Sequence, residues 1–147
     1  MSYLNWKGLT SLSHEAPAQN VSAAVQAAGT GAPSRTVLNL ELGPTRLGEL
    51  IQELEDVFQK DGSELRIALP ERWLLFWKLR SEGNRILLAH PNPDEWVATC
   101  ALEKESGEKV LLSLKNSPQG QSLSLGQLVR VQSVSNLEIV LVFKSSD

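Results

Sequence analysis

The chain has 147 residues, 41% of them hydrophobic and 21% charged, with a formal net charge of −3. That leaves room for one folded domain with its own core and excludes global disorder. Lys and Arg are scattered among the acids, which argues against a duplex-binding protein with a phosphate-neutralising basic face, and the single cysteine, Cys100, excludes an intrachain disulfide or a zinc site built on several thiolates.

The first dozen residues carry Tyr3, Leu4, Trp6, Leu9 and Leu12, a dense apolar set. Met1 to Lys7 has neither a cationic lead nor an unbroken apolar run, so no secretory signal is expected. No apolar run approaches the roughly 18 residues of a membrane span, so no membrane association is expected and a cytoplasmic location is the default. His14 to Arg35 is mostly Ala, Gln, Ser, Gly and Pro. Such a composition buries too little apolar area to offset backbone ordering, so residues 1–35 read as a flexible arm with an apolar tip and 36–147 as the globular domain. The tip has two readings. It folds back over its own sheet, or it docks on another protein by helix-in-groove or strand addition.

From Thr36 to Leu42 large apolar residues alternate, which predicts a strand. Gly43-Pro44 breaks it. Thr45 to Lys60 predicts an amphipathic helix capped by Thr45, with Leu47, Leu50, Ile51, Leu54, Val57 and Phe58 in one stripe and Gly62 after its last turn. Leu65, Ile67 and Leu69 predict the next strand, and Pro70-Glu71 a turn. Arg72 to Arg80 is apolar and aromatic without a clean period and reads as a strand. Ser81-Glu82-Gly83-Asn84 then predicts a hairpin turn into a return strand, 85–90. After the Pro-rich loop 90–94, Trp96, Ala98, Cys100 and Leu102 share one face of a strand. Ser106-Gly107 is expected to turn the chain into another strand at Lys109 to Lys115. That expectation leans on a near-repeat: after the first position, 103–112 matches 79–88 as basic, two polar residues, Gly, polar, basic, β-branched, Leu, Leu. Strands are also expected at 128–132 and, apolar on both faces and so centrally placed, at 137–144. The sum is α+β: one amphipathic helix packed on an antiparallel meander sheet or partial barrel, with a flexible N-terminal arm.

Chemistry is sparse. His90 with Cys100 is the sole thiol–base pairing expected inside the body, and nothing around it resembles a nucleophile site; Cys100 reads as a small buried hydrophobe. His90, Asp94 and Glu95 have ligand chemistry but read as a solvated loop, and no Gly-rich phosphate cradle occurs. No catalytic residue, metal or cofactor is expected. The expectation is a non-catalytic cytoplasmic adaptor that binds a protein partner through Tyr3, Leu4, Trp6, Leu9, Leu12, Trp73 and Trp77. The alternative is a half-barrel that binds a small ligand or single-stranded nucleic acid on the hairpin 72–90. There Trp73, Phe76 and Trp77 stand among Arg72, Lys78, Arg80 and Arg85.

Overall fold

Alternation of apolar side chains commits most of this chain to strands, and the strands divide into two sheets. The computed structural model describes residues 2–8, 12–15, 36–60, 62–116, 120–131 and 137–145. In chain order the strands are β1 (Ser2–Asn5), β2 (Leu12–Glu15), β3 (Thr36–Leu42), β4 (Glu64–Ala68), β5 (Trp73–Arg80), β6 (Arg85–Asn92), β7 (Glu95–Glu103), β8 (Ser122–Ser124) and β9 (Leu137–Phe143). The helices are α1 (Pro44–Val57), α2 (Lys104–Lys115) and the short α3 (Leu125–Leu128). One sheet has the order β1-β4-β5-β7-β6 and the other β2-β3-β9-β8. Their inner faces share one apolar core with α1 and α2: Leu38 and Leu40 from β3, Trp73 and Trp77 from β5, Leu50 and Leu54 from α1, Val110 and Leu114 from α2.

Helix α1 follows the expected stripe, burying Leu50, Leu54 and Val57. Its start differs. The cap is Gly43, Pro44 occupies the first turn, and Thr45 lies inside the helix. Proline suits that place because the first helical N–H has no intrahelical partner to lose. Gly62 takes φ 81° after the last turn, as the sequence suggests. Strand β5 is a strand, and its indoles obey period two: Trp73, Leu75 and Trp77 point inward.

Four expectations are overturned. The single meander or partial barrel gives way to two sheets, in which β1–β4, β3–β9 and β5–β7 run parallel. The stretch 72–90 is not a hairpin, because β7 inserts between β5 and β6. Pro91 helps explain this, since a strand carrying a residue without an N–H is confined to an edge, and β6 is the edge. The near-repeat does not repeat in space. Its first copy is strand, turn and strand, whereas its second is α2, where Gly107, Val110, Leu111 and Leu114 are buried at helical spacing. The strand expected at 128–132 does not form over its described residues: Leu128 ends the helical turn α3, and Val131 makes an isolated bridge to Asn84.

The expected arm at 1–35 contains β1 and β2, each an edge strand of one sheet. Trp6, just after β1, is buried in the core. Residues 1, 9–11 and 16–35, which include most of the linker, lie outside the described ones.

Two features fix the crossing of β7. The loop 81–84 leaves β5 and passes the C-terminal end of β7 to reach β6. There Asn84, buried, donates from Nδ2 to Ser106 Oγ (2.8 Å) and to the Arg130 carbonyl (2.8 Å), and its Oδ1 accepts from the Glu103 N–H (2.9 Å). The Gly83 N–H in turn donates to Glu103 Oε1 (2.7 Å). One turn into α2, Gly107 brings the helix against Phe58. A Cβ built there would lie 2.8 Å from Cγ of that ring.

Candidate functional site

Strand registers place three rows of side chains across the outer face of the five-stranded sheet. The first row runs Asn5, Ala68, Leu74, Val97, Ala89. The second runs Tyr3, Arg66, Phe76, Thr99, Leu87. The third runs Glu64, Lys78, Ala101, Arg85. Beyond the third, Arg80 stands opposite Glu103. Leu74, Phe76, Leu87, Val97 and Thr99 are all half-exposed, so this face is apolar yet uncovered among the described residues.

The face has relief. The outward residues of β7 are short (Val97, Thr99, Ala101), while β5 and β6 carry longer side chains on either side. The result is an open trough of about 560 Å³, with Thr99 and Ala101 on its floor and Lys78, Arg80, Arg85 and Leu87 along its sides. Charge is graded along it. Lys78 and Arg85, both exposed, flank Ala101 in register, and Arg80 follows two residues on. At the other end Leu74, Val97 and Ala89 carry no charge. Midway, the Arg66 guanidinium lies 5.8 Å from the centre of the Phe76 ring, within cation–π range.

Of the residues singled out from the sequence, Tyr3 belongs to this face and is 52% exposed. Leu4 (9%), Trp6 (2%), Trp73 (1%) and Trp77 (0%) are core residues, so their side chains offer a partner almost no surface. Trp73 stacks on Trp96 with ring centres 5.2 Å apart. Leu9 lies outside the described residues, as does the side chain of Leu12. Lys78, Arg80 and Arg85, noted as surrounding the aromatics, do gather at one end of the trough, whereas Arg72 pairs at 3.7 Å with Asp94 elsewhere. The floor residues Val97, Thr99 and Ala101 were missed. Their signal was present as the complement of the inward set Trp96, Ala98, Cys100 and Leu102.

The side chain of His90 lies outside the described residues. Cys100 faces the core, and burial pushes its thiol well above the usual range, which disfavours the thiolate. Iodoacetamide at mildly alkaline pH is therefore expected to leave Cys100 unlabelled in the folded chain and to label it fully in guanidinium chloride. Rapid stoichiometric labelling of the native chain, read by mass spectrometry, would show that the thiol is not in the core. A second recess of about 460 Å³ lies around Asn84, Ser106, Lys109 and Arg130. Its buried polar group, Asn84, is already bonded within the fold. Among the described residues no three His, Cys, Asp or Glu side chains cluster as a metal site would need. No helix among them is long and apolar enough to cross a membrane.

Comparison with protein-family models, with curated proteins and with solved structures finds no match.

Proposed function

We propose that this chain is a non-catalytic, cytoplasmic protein-binding module whose contact surface is the outer face of the five-stranded sheet. The observation that carries the reading is a regular sheet face whose half-exposed apolar rows end in a cationic border. Protein interfaces have that anatomy, an apolar centre with a polar rim. Phe76, Tyr3 and Arg66 supply the residue types in which binding energy concentrates. The N-terminal segment contributes to this surface through Tyr3, while Leu4 and Trp6 anchor β1 to the body. A buried lone thiol suits a reducing compartment.

The test is a photo-crosslinking amino acid at Thr99, used in the cells that make the protein. The expected result is a protein adduct that disappears when Lys78→Glu and Arg85→Glu are combined. Both side chains are exposed, so the doubly reversed chain should melt within about 4 °C of the parent, each surface change being worth about 0.5 kcal/mol or less. An adduct unchanged by the reversal would sink the proposal.

A second reading rests on the Arg66–Phe76 stack in register with Tyr3, an arrangement suited to single-stranded nucleic acid. Anisotropy of a fluorescent oligothymidylate decides it. No saturable binding is expected at physiological salt. Saturable binding lost in the charge-reversed chain would replace the protein partner with nucleic acid.

A further inference from the structure

We infer that the trough along β7 receives a single amphipathic helix of a partner protein, with its carboxylates gathered at the end that meets Lys78, Arg80 and Arg85. The inference rests on the proposed binding role of this face and names its occupant. Three observations lead to it.

The first is relief. Val97 and Thr99 on β7 are shorter than Phe76 and Leu87 on the strands to either side, so the face is concave along β7. A helix, about 10–12 Å across with its side chains, lies over that concavity and directs one row of apolar side chains at Val97 and Thr99.

The second is backbone chemistry. An extended peptide finds hydrogen-bond partners at the edge of a sheet, not on its face. Laid over β7 it would bury N–H and C=O groups against side chains that cannot satisfy them. A helix satisfies its own backbone and brings only side chains to the contact. The floor, being Val, Thr and Ala, offers apolar contact with one hydroxyl.

The third is charge. Lys78, Arg80 and Arg85 gather at one end of the trough, while Arg66, midway across the face, is engaged by the Phe76 ring. Glu64 stands beside Lys78 in register, and Glu103 is tied to the Gly83 N–H, leaving Arg80 and Arg85 to face an incoming group. Carboxylates at that end complete charge-assisted pairs. The C-terminal end of a helix carries partial negative charge, so it is the end that docks there. From Leu74 to Arg80 is six residues of strand, about 20 Å, which a helix of about 13 residues spans.

The experiment is selection of a random 14-residue peptide library on the intact protein, with counter-selection on the Lys78→Glu, Arg85→Glu chain. The expected winners carry apolar residues at i, i+3, i+4 and i+7, with Asp or Glu near the C-terminal end. Synthesised singly, they should gain helical circular dichroism on binding and shift the amide resonances of Thr99 and Ala101. Affinity should fall about tenfold or more for the reversed chain. Winners with alternating apolar residues, or without clustered acids, would overturn the helix while leaving the face a protein-binding surface. No enrichment over the reversed chain would overturn the binding role itself. A melting curve of the reversed chain that matches the parent's excludes unfolding as the cause of lost binding.

Discussion

Asn84→Ala is expected to destabilise the fold by about 3 kcal/mol, the sum of three hydrogen bonds at about 1 kcal/mol each. The side chain is 5% exposed, so water does not readily replace it. Alanine would strand the Glu103 N–H and the Arg130 carbonyl, and an unmet buried polar group carries its full desolvation penalty. The consequence reaches beyond energy. The loop 81–84 crosses the end of β7, and Asn84 ties that loop to the start of α2 and to Arg130. Asn84→Asp keeps an acceptor for Glu103 but loses both donors and turns a carboxylate toward a carbonyl oxygen, so it should be no milder. At roughly 4 °C per kcal/mol the melting temperature should drop about 12 °C in the alanine chain. Amide exchange at Glu103 should accelerate with it. An alanine chain that melts with the parent would show that Asn84 does not hold the crossing.

Gly107 tests the other close contact. A methyl group there would sit 2.8 to 2.9 Å from three carbons of the Phe58 ring, closer than carbon atoms approach. Phe58 is itself buried at the end of α1, so neither side has room to retreat. Overpacking of this kind costs about 1–3 kcal/mol, while replacing a helical glycine by alanine returns about 1 kcal/mol of propensity. Gly107→Ala should therefore be destabilising by about 1 kcal/mol, and Gly107→Val, with two more methyls and a branched β-carbon, by about 3 kcal/mol. Removing the ring should relieve the clash, because Cγ, Cδ1 and Cδ2 of Phe58 are the atoms a methyl group at 107 would meet. The double change Gly107→Ala with Phe58→Ala is expected to be more stable than the sum of its parts by about 1 kcal/mol, the usual scale for residues in contact. Denaturant unfolding with unchanged slope gives each value. If alanine alone stabilises by the full propensity gain, α2 stands further from Phe58 than described.

These two positions also show where sequence reasoning reached and where it stopped. Gly107 was read as the turn of a hairpin, because a Gly among polar residues ahead of Val-Leu-Leu has that signature. Counted as an inward position, it opens the helical series Gly107, Val110, Leu111, Leu114. The ambiguity is physical. Glycine carries no side chain, so period alone does not say whether it marks a turn or the close approach of two helices. Asn84 carries the local signature of a turn residue and none of a buried hydrogen-bonding post. Its partners lie 19 to 46 residues away in the chain.

The candidate face divides in the same manner. That Phe76 and Lys78 point away from Trp73 and Trp77 follows from period two and was legible. That Lys78 and Arg85 flank Ala101 was not, because adjacent position in the chain suggested that β5 and β6 pair.

Local pattern alone predicted strands over 36–42, 65–69, 72–80, 85–90, 95–104 and 137–144 and a helix over 45–60, and the structure has them at 36–42, 64–68, 73–80, 85–92, 95–103, 137–143 and 44–57. It also determined which side chains of each turn inward, because backbone geometry sets the period and apolar burial sets the face. Tertiary structure decided which strand lies beside which, and with that the trough. Pairing depends on contacts between distant segments competing for one core, and β7 took the place between β5 and β6 that adjacency in the chain would have denied it.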